Sequence, residues 1–172
     1  MIKIKGFTLI EMLISVAIFM TVSVIVVTVL FSSFRLSKKS DALVSVKQIG
    51  DAALSQMISG IKYAKTLNDP ISCVIPVTQS SVKVTSSRDD AQTTYSCPTV
   101  GGSTLIASNG ASLIDTSAVS ISSCTFICSQ ATINDPPTIT IKFTLSSNQN
   151  NFPGSSASIP FQTSVVMRNY SN

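Results

Sequence analysis

Glu11 is the single glutamate of this 172-residue chain, and it stands inside an apolar run from Phe7 to Phe34 that carries no other charge. A carboxylate in hydrocarbon costs roughly 2.5 to 3.5 kcal/mol on insertion scales, so it needs a partner or a task. The other reactive side chains are four cysteines, Cys73, Cys97, Cys124 and Cys128, all beyond the apolar run. The chain has no histidine, and the cysteine spacing does not form two CxxC knuckles, which argues against a metal site. Disulfides in an oxidising compartment are the better reading. Of the three pairings that four cysteines allow, we expect Cys73 with Cys97, tying two early strands, and Cys124 with Cys128 as a local staple. The local pair requires a bulge or turn at Thr125 to Ile127, because residues four apart in a straight strand are about 13 Å distant.

Catalysis finds little to work with. Glu11 is committed to the apolar run, there is no Gly-rich phosphate loop and no nucleophile motif, and Asp89-Asp90 reads as a turn rather than a paired-carboxylate site. No enzyme activity and no cofactor are expected. The formal net charge is +4, partly from Lys3 and Lys5. From Ile71 onward, Lys83, Arg88, Lys142 and Arg168 balance Asp89, Asp90, Asp115 and Asp135. That balance offers no basic stripe for nucleic acid.

The element that positions Glu11 is the apolar run itself. As a helix it would extend about 42 Å, against about 30 Å of bilayer hydrocarbon. A secretory signal peptide has a shorter apolar region, of about 7 to 15 residues, closed by a small-residue cleavage site. No such site lies near Phe31 to Phe34. An ordinary single-pass anchor explains the length but leaves Glu11 and the basic leader before it without a purpose.

Lys5, Gly6, Phe7, Thr8, Leu9, Ile10 and Glu11 resemble the processing site of type IV pilins and their pseudopilin relatives. The resemblance implies a prepilin peptidase that cuts between Gly6 and Phe7, methylates the new amino-terminal phenylalanine, and leaves Glu11 as the fifth mature residue. Glycine before the cut lets a protease approach the backbone closely. The cut would create a cationic amine on Phe7, and amine and carboxylate attract far more strongly in low dielectric than in water. Within one helix the Phe7 amine and Glu11 are close enough to pair with each other. The family implies pairing with the neighbouring subunit: axial stagger would bring one copy's Glu11 to another's terminus and give assembly a register mark. The closing FQTSVVMRN, Phe161 to Asn169, is similar to the last strand of many such subunits.

The implied partners are other pilin-like subunits, the prepilin peptidase, the membrane, and an assembly platform with its ATPase. The implied location is the bacterial cytoplasmic membrane for the precursor, with a single pass and the amino terminus inside. The assembled form would be a surface or periplasmic filament of the kind that serves adhesion, motility, secretion or DNA uptake. The positive-inside count runs the other way, with Lys3 and Lys5 before the run and Arg35, Lys38 and Lys39 after it. We place the amino terminus in the cytoplasm because processing in the family occurs there and because the cysteines and the Ser/Thr-rich body read as exported. Major subunits commonly carry a proline partway along the apolar segment, whereas residues 7–34 contain neither proline nor glycine. This departure favours a minor pilin or pseudopilin, and MLISVAIF after Glu11 resembles J-type or W-type minor subunits. The alternatives are a major pilin and a membrane-anchored adhesin that never polymerises.

Four segments follow: a leader at 1–6, a transmembrane and assembly half-helix at 7–34, an amphipathic half-helix at 35–67, and a β-rich exported part at 68–172. In the third, Leu43, Val46, Gly50, Ala53, Met57, Ile61 and Ala64 recur at three- and four-residue steps, opposite charged residues. Asn68, Asp69 and Pro70 should stop that helix. Gly50 and Gly60 each cost it up to about 1 kcal/mol relative to alanine, so packing against a sheet must hold it. Strands are expected at Ser72 to Thr78, Ser81 to Ser86, Thr93 to Cys97, Thr104 to Ala107, Val119 to Ile127, Thr138 to Leu145 and Ile159 to Arg168. Gly101-Gly102, Asn109-Gly110, Asp135-Pro136-Pro137 and Asn148 to Gly154 read as turns or loops. The fold class is α+β, a long N-terminal helix on a small antiparallel sheet.

Overall fold

The computed structural model describes Gly6, residues 8–148 and residues 157–171. The chain divides between Lys38 and Lys39 into two compact units. Among the described residues one long helix, α1 (Leu9–Lys62), is followed by eleven strands, which is the expected α+β layout. In the first unit α1 is apolar on every side and exposed from Leu9 to Leu36, apart from the half-buried Ser23.

In the second unit α1 buries one stripe, Ala42, Val46, Gly50, Ala53, Met57 and Ile61. Steps of three and four keep these on one face. Ala42 takes the first buried place rather than Leu43, which is half-buried. The glycines have a steric purpose. A Cβ on Gly50 would run into the ring of Phe161, and one on Gly60 would meet the hydroxyl end of Tyr95. The helix gives up propensity at both positions so that two aromatic side chains can reach its backbone.

The helix ends earlier than expected. Tyr63 turns the chain, and Ala64–Asp69 forms β1 instead of the last helical turns up to Leu67. Ala64 is buried, as the helical stripe required, but in a strand, and Leu67 is buried with it. Residues three apart share a face of a strand only if an extra residue intervenes. Register shifts between Ala64 and Thr66, and between Leu67 and Asp69, supply such irregularities in the pairing with the strand Ser81–Ser86. The Lys62 carbonyl left over at the helix end accepts the Arg168 amide at 2.8 Å, and Lys65 accepts that of Ser171 at 2.8 Å.

Two antiparallel sheets result, where a single small one was expected. The first runs β1, β3 (Ser81–Ser86), β4 (Gln92–Ser96), β7 (Ala107–Ser108), β8 (Ala111–Ser112). The second runs β11 (Ser158–Val166), β10 (Thr138–Ser147), β9 (Val119–Ser129), β6 (Ser103–Thr104), β5 (Thr99–Val100), with β2 (Val77–Gln79) also on β9. On β10, Ile139, Ile141, Phe143 and Leu145 point inward and are fully buried. Phe143 faces Phe161 across the ladder, the rings stacked with centroids 5.0 Å apart. That pair is the floor on which the Gly50 turn of α1 rests.

The expected strand Ser72 to Thr78 shrinks to β2, since Pro76 has no N–H for a ladder. Thr104 to Ala107 is not one strand: Thr104 ends β6 in one sheet and Ala107 opens β7 in the other. The Gly-Gly and Asn-Gly pairs turn the β5–β6 and β7–β8 hairpins. Gly101, Gly102, Asn109 and Gly110 all have positive φ, at 60°, 83°, 51° and 84°, the signature of tight two-residue hairpin turns. The expected loop Asn148 to Gly154 lies, apart from Asn148, outside the described residues.

Candidate assembly site

Glu11 lies in the first turn of α1. Its Oε2 accepts the Thr8 amide at 3.0 Å and the Thr8 hydroxyl at 2.9 Å, while the Glu11 amide donates to Thr8 Oγ1 at 3.4 Å. This is a reciprocal capping box: Thr8 closes one orphan donor of the helix start, and the carboxylate three residues on closes another. Glu11 is therefore held in place by the helix start itself, with its side chain exposed. Sequence reasoning about Glu11 as a buried charge passed over Thr8, although Thr-x-x-Glu before an apolar run is the capping-box pattern.

Five hydroxyls of the apolar segment are satisfied locally. Ser15 donates to the Glu11 carbonyl at 2.7 Å, Thr21 to Ile18 at 2.8 Å, Ser23 to Phe19 at 2.8 Å, Thr28 to Ile25 at 2.8 Å and Ser32 to Thr28 at 3.0 Å. These five hydroxyls need no water, which suits residence in hydrocarbon. Among the described residues α1 is the helix long and apolar enough to cross a membrane. After these bonds, the Glu11 carboxylate is the one polar group of the segment that still carries a full charge.

Gly6 is exposed, with nothing within 4 Å of where a Cβ would stand. The backbone before the expected cut is thus open. Phe7 lies outside the described residues, so the geometry of the Phe7 and Glu11 pair is not part of the site as described.

All four cysteines are oxidised, but not in the expected pairs. The bonds are Cys73–Cys128 and Cys97–Cys124, with Cα atoms 5.5 and 6.0 Å apart. The pairing Cys73 with Cys97 and Cys124 with Cys128 is corrected for the reason that made it conditional. β9 runs unbroken from Val119 to Ser129, its irregularity falling opposite Thr144 and Leu145, before Cys124. Cys124 and Cys128 therefore stand too far apart to meet. Each reaches instead to a segment that arrives beside β9. Cys128 sits opposite Val77 of β2, so Cys73 follows. The Cys97–Cys124 bond joins the residue after β4 in the first sheet to the second.

Asp89 and Asp90 occupy the turn after β3. Asp89 Oδ1 accepts the Ala91 amide at 3.3 Å, and Asp90, at φ 57°, pairs with Lys65. The two carboxylates look away to separate partners and do not form an acid/base pair. The Ser86 hydroxyl, followed by the Ala91 amide, holds the Asp89 carboxyl below the usual carboxylate range.

Residues 1–27 match the family described as the prokaryotic N-terminal methylation motif. The match places Gly6, Thr8 and Glu11 inside that motif and supports a type IV pilin-like family, whose members are structural rather than catalytic. The motif implies processing by a prepilin peptidase and assembly with other pilin subunits, and it fits, with α1, a membrane-anchored precursor. Comparison with curated proteins and with solved structures gave no match.

Proposed function

We propose that this chain is a minor pilin or pseudopilin: a structural subunit inserted in the cytoplasmic membrane, trimmed between Gly6 and Phe7, and packed by the 7–34 half of its helix into a filament or its initiating complex. Methylation of the Phe7 amine, and extraction by a platform protein and its ATPase, belong to the same reading. The chain carries out no chemistry itself. Segments 1–6, 7–34, 35–67 and 68–172 then serve as leader, assembly helix, spacer and exported body, with the helical part of the spacer ending at Lys62.

The observation that carries this reading is the lone charge of Glu11 in an apolar segment where Ser15, Thr21, Ser23, Thr28 and Ser32 are hydrogen-bonded within the helix. A cationic Phe7 amine on an adjoining copy would neutralise it, and the attraction is large in low dielectric. The absence of proline and glycine from 7–34 favours the minor role over the major one, because the segment has no built-in site for local melting.

Two substitutions separate the roles of Glu11. Glu11→Ala removes both cap and charge; Glu11→Gln keeps an oxygen for the Thr8 contacts and removes only the charge. Both variants should insert and be cleaved. Incorporation into filaments, read by immunoblot of sheared surface fractions, should fail in both. Full incorporation of Glu11→Gln would refute the ion pair and leave the carboxylate only its capping duty.

A further inference from the structure

The apolar run ends at Phe34, and Arg35, Lys38 and Lys39 follow it. No acidic residue stands between Glu11 and Asp41. Arg35 and Lys38 both lie in the first unit and are exposed on α1. Three residues apart, they are neighbours on the helix surface. Among the described residues neither enters an ion pair with Asp41, the nearest acid along the chain, or with any other carboxylate.

The surface from which these cations rise is apolar. Phe34 is 67% and Leu36 70% exposed. Thr28, Val29, Ser32 and Ser33 have short side chains, and with Leu36 they line a shallow groove along the helix. Thr28 donates its hydroxyl to the Ile25 carbonyl and Ser32 donates to that of Thr28, so neither offers the groove a free donor. A groove of this kind that ends beside two cations suits an amphiphile, with a long apolar tail and an anion at its head. An acidic protein surface would meet the cations but leave Phe34, Leu36 and the groove in water. A second apolar helix would fill the groove but leave the cations without counter-charge.

We propose that Arg35 and Lys38 bind the phosphate of an anionic phospholipid, one acyl chain of which lies in the groove of Thr28, Val29, Ser32, Ser33 and Leu36. The contact sets the depth of the unassembled subunit in the bilayer and selects its lipid neighbours. The excess of cations after the run, adverse to the positive-inside rule, then has a use. The inference rests on the membrane-anchored reading of α1. It requires neither leader cleavage, nor the Glu11 pair, nor the minor-subunit choice.

The test uses the full chain in phosphatidylcholine nanodiscs carrying a minor share of acyl-chain spin-labelled lipid, either phosphatidylglycerol or phosphatidylcholine. The motionally restricted fraction of the label reads association. Phosphatidylglycerol should be favoured, and Arg35→Gln with Lys38→Gln should cut that preference about fivefold for each cation removed, the effect of one basic residue at an anionic membrane surface. Lys47→Gln should leave the preference unchanged, because Lys47 already has Asp51 as its partner. Ser33→Phe, which fills the groove, should lower the restricted fraction with both cations intact. Equal association of the two lipids, or a preference that survives Arg35→Gln with Lys38→Gln, would overturn the proposal. So would displacement of the lipid by inorganic phosphate at matched ionic strength, which would make this a phosphate site, or helix dimers that restrict no lipid, which would give the groove to a second helix. A chain that alkaline extraction strips from vesicles would sink the membrane-anchored reading and this contact with it. Firm insertion without lipid preference would sink the contact alone.

Discussion

The ring of Phe161 occupies the space where a side chain on Gly50 would begin. Phe161 is buried and its ring is stacked on Phe143, which restricts its movement. Gly50→Ala should therefore destabilise the second unit. Overpacking costs about 1 to 3 kcal/mol, against a helix-propensity gain of at most about 1 kcal/mol. The check is a thermal or denaturant midpoint, with recovery in Gly50→Ala combined with Phe161→Leu. A more stable Gly50→Ala single variant would show that Phe161 does not hold this position.

Thr8 should matter beyond its place in the processing motif. Thr8→Ala removes the cap that closes the first turn and should cost the helix start roughly 1 kcal/mol, while Thr8→Ser should be nearly neutral. Hydrogen exchange of the amides at 9–12 in micelles reads this directly. Equal protection in all three forms would exclude the capping box.

Peptide mapping of the non-reduced protein should recover Cys73 linked to Cys128 and Cys97 linked to Cys124. Removing the first bond as Cys73→Ser with Cys128→Ser should cost about 2 to 5 kcal/mol, the range for a native bond in a small exported domain. Recovery of a Cys73–Cys97 peptide would refute the pairing described here.

Replacing Gly6 by a bulky residue should leave the leader attached, since the backbone there is reached only where no side chain stands. Intact mass of the protein from its native host should then include residues 1–6. A trimmed Gly6→Leu chain would separate the glycine from the cut.

Acid should loosen the turn after β8 before it unfolds the sheets. The Ser117 hydroxyl at 2.6 Å and its amide at 2.9 Å hold the Asp115 carboxyl below its ordinary value of 3.8. A carboxyl lowered on folding contributes stability that is present above the unfolded value and is lost as pH falls through the folded one. The amide resonance of Ser117 should titrate with a midpoint under 3.8. A midpoint at or above that value would break the assignment.

The first half of the chain was largely legible as sequence. Its processing motif, its apolar segment and the i, i+3, i+4 stripe through Ile61 depend on residues close together along the chain, and one period suffices to place them. The β10 strand was legible for the same reason: Ile139, Ile141, Phe143 and Leu145 alternate against polar residues, and burial follows that alternation.

What the tertiary structure decided was everything that depends on which distant segments meet. Ala64 and Leu67 fit a helical stripe equally well, and only the β3 partner, with its register shifts, made them a strand. Gly50 read as a weak point of the helix until Phe161, far along the chain, filled the space it leaves. The cysteines show the limit most plainly. Their types predicted two disulfides, but pairing is fixed by β9 staying extended and by β2 and β4 arriving beside it. Local sequence sets periodicity and caps through bonds that close within a turn or a strand. Partners across the chain are chosen by the joint packing of elements whose positions no single segment contains.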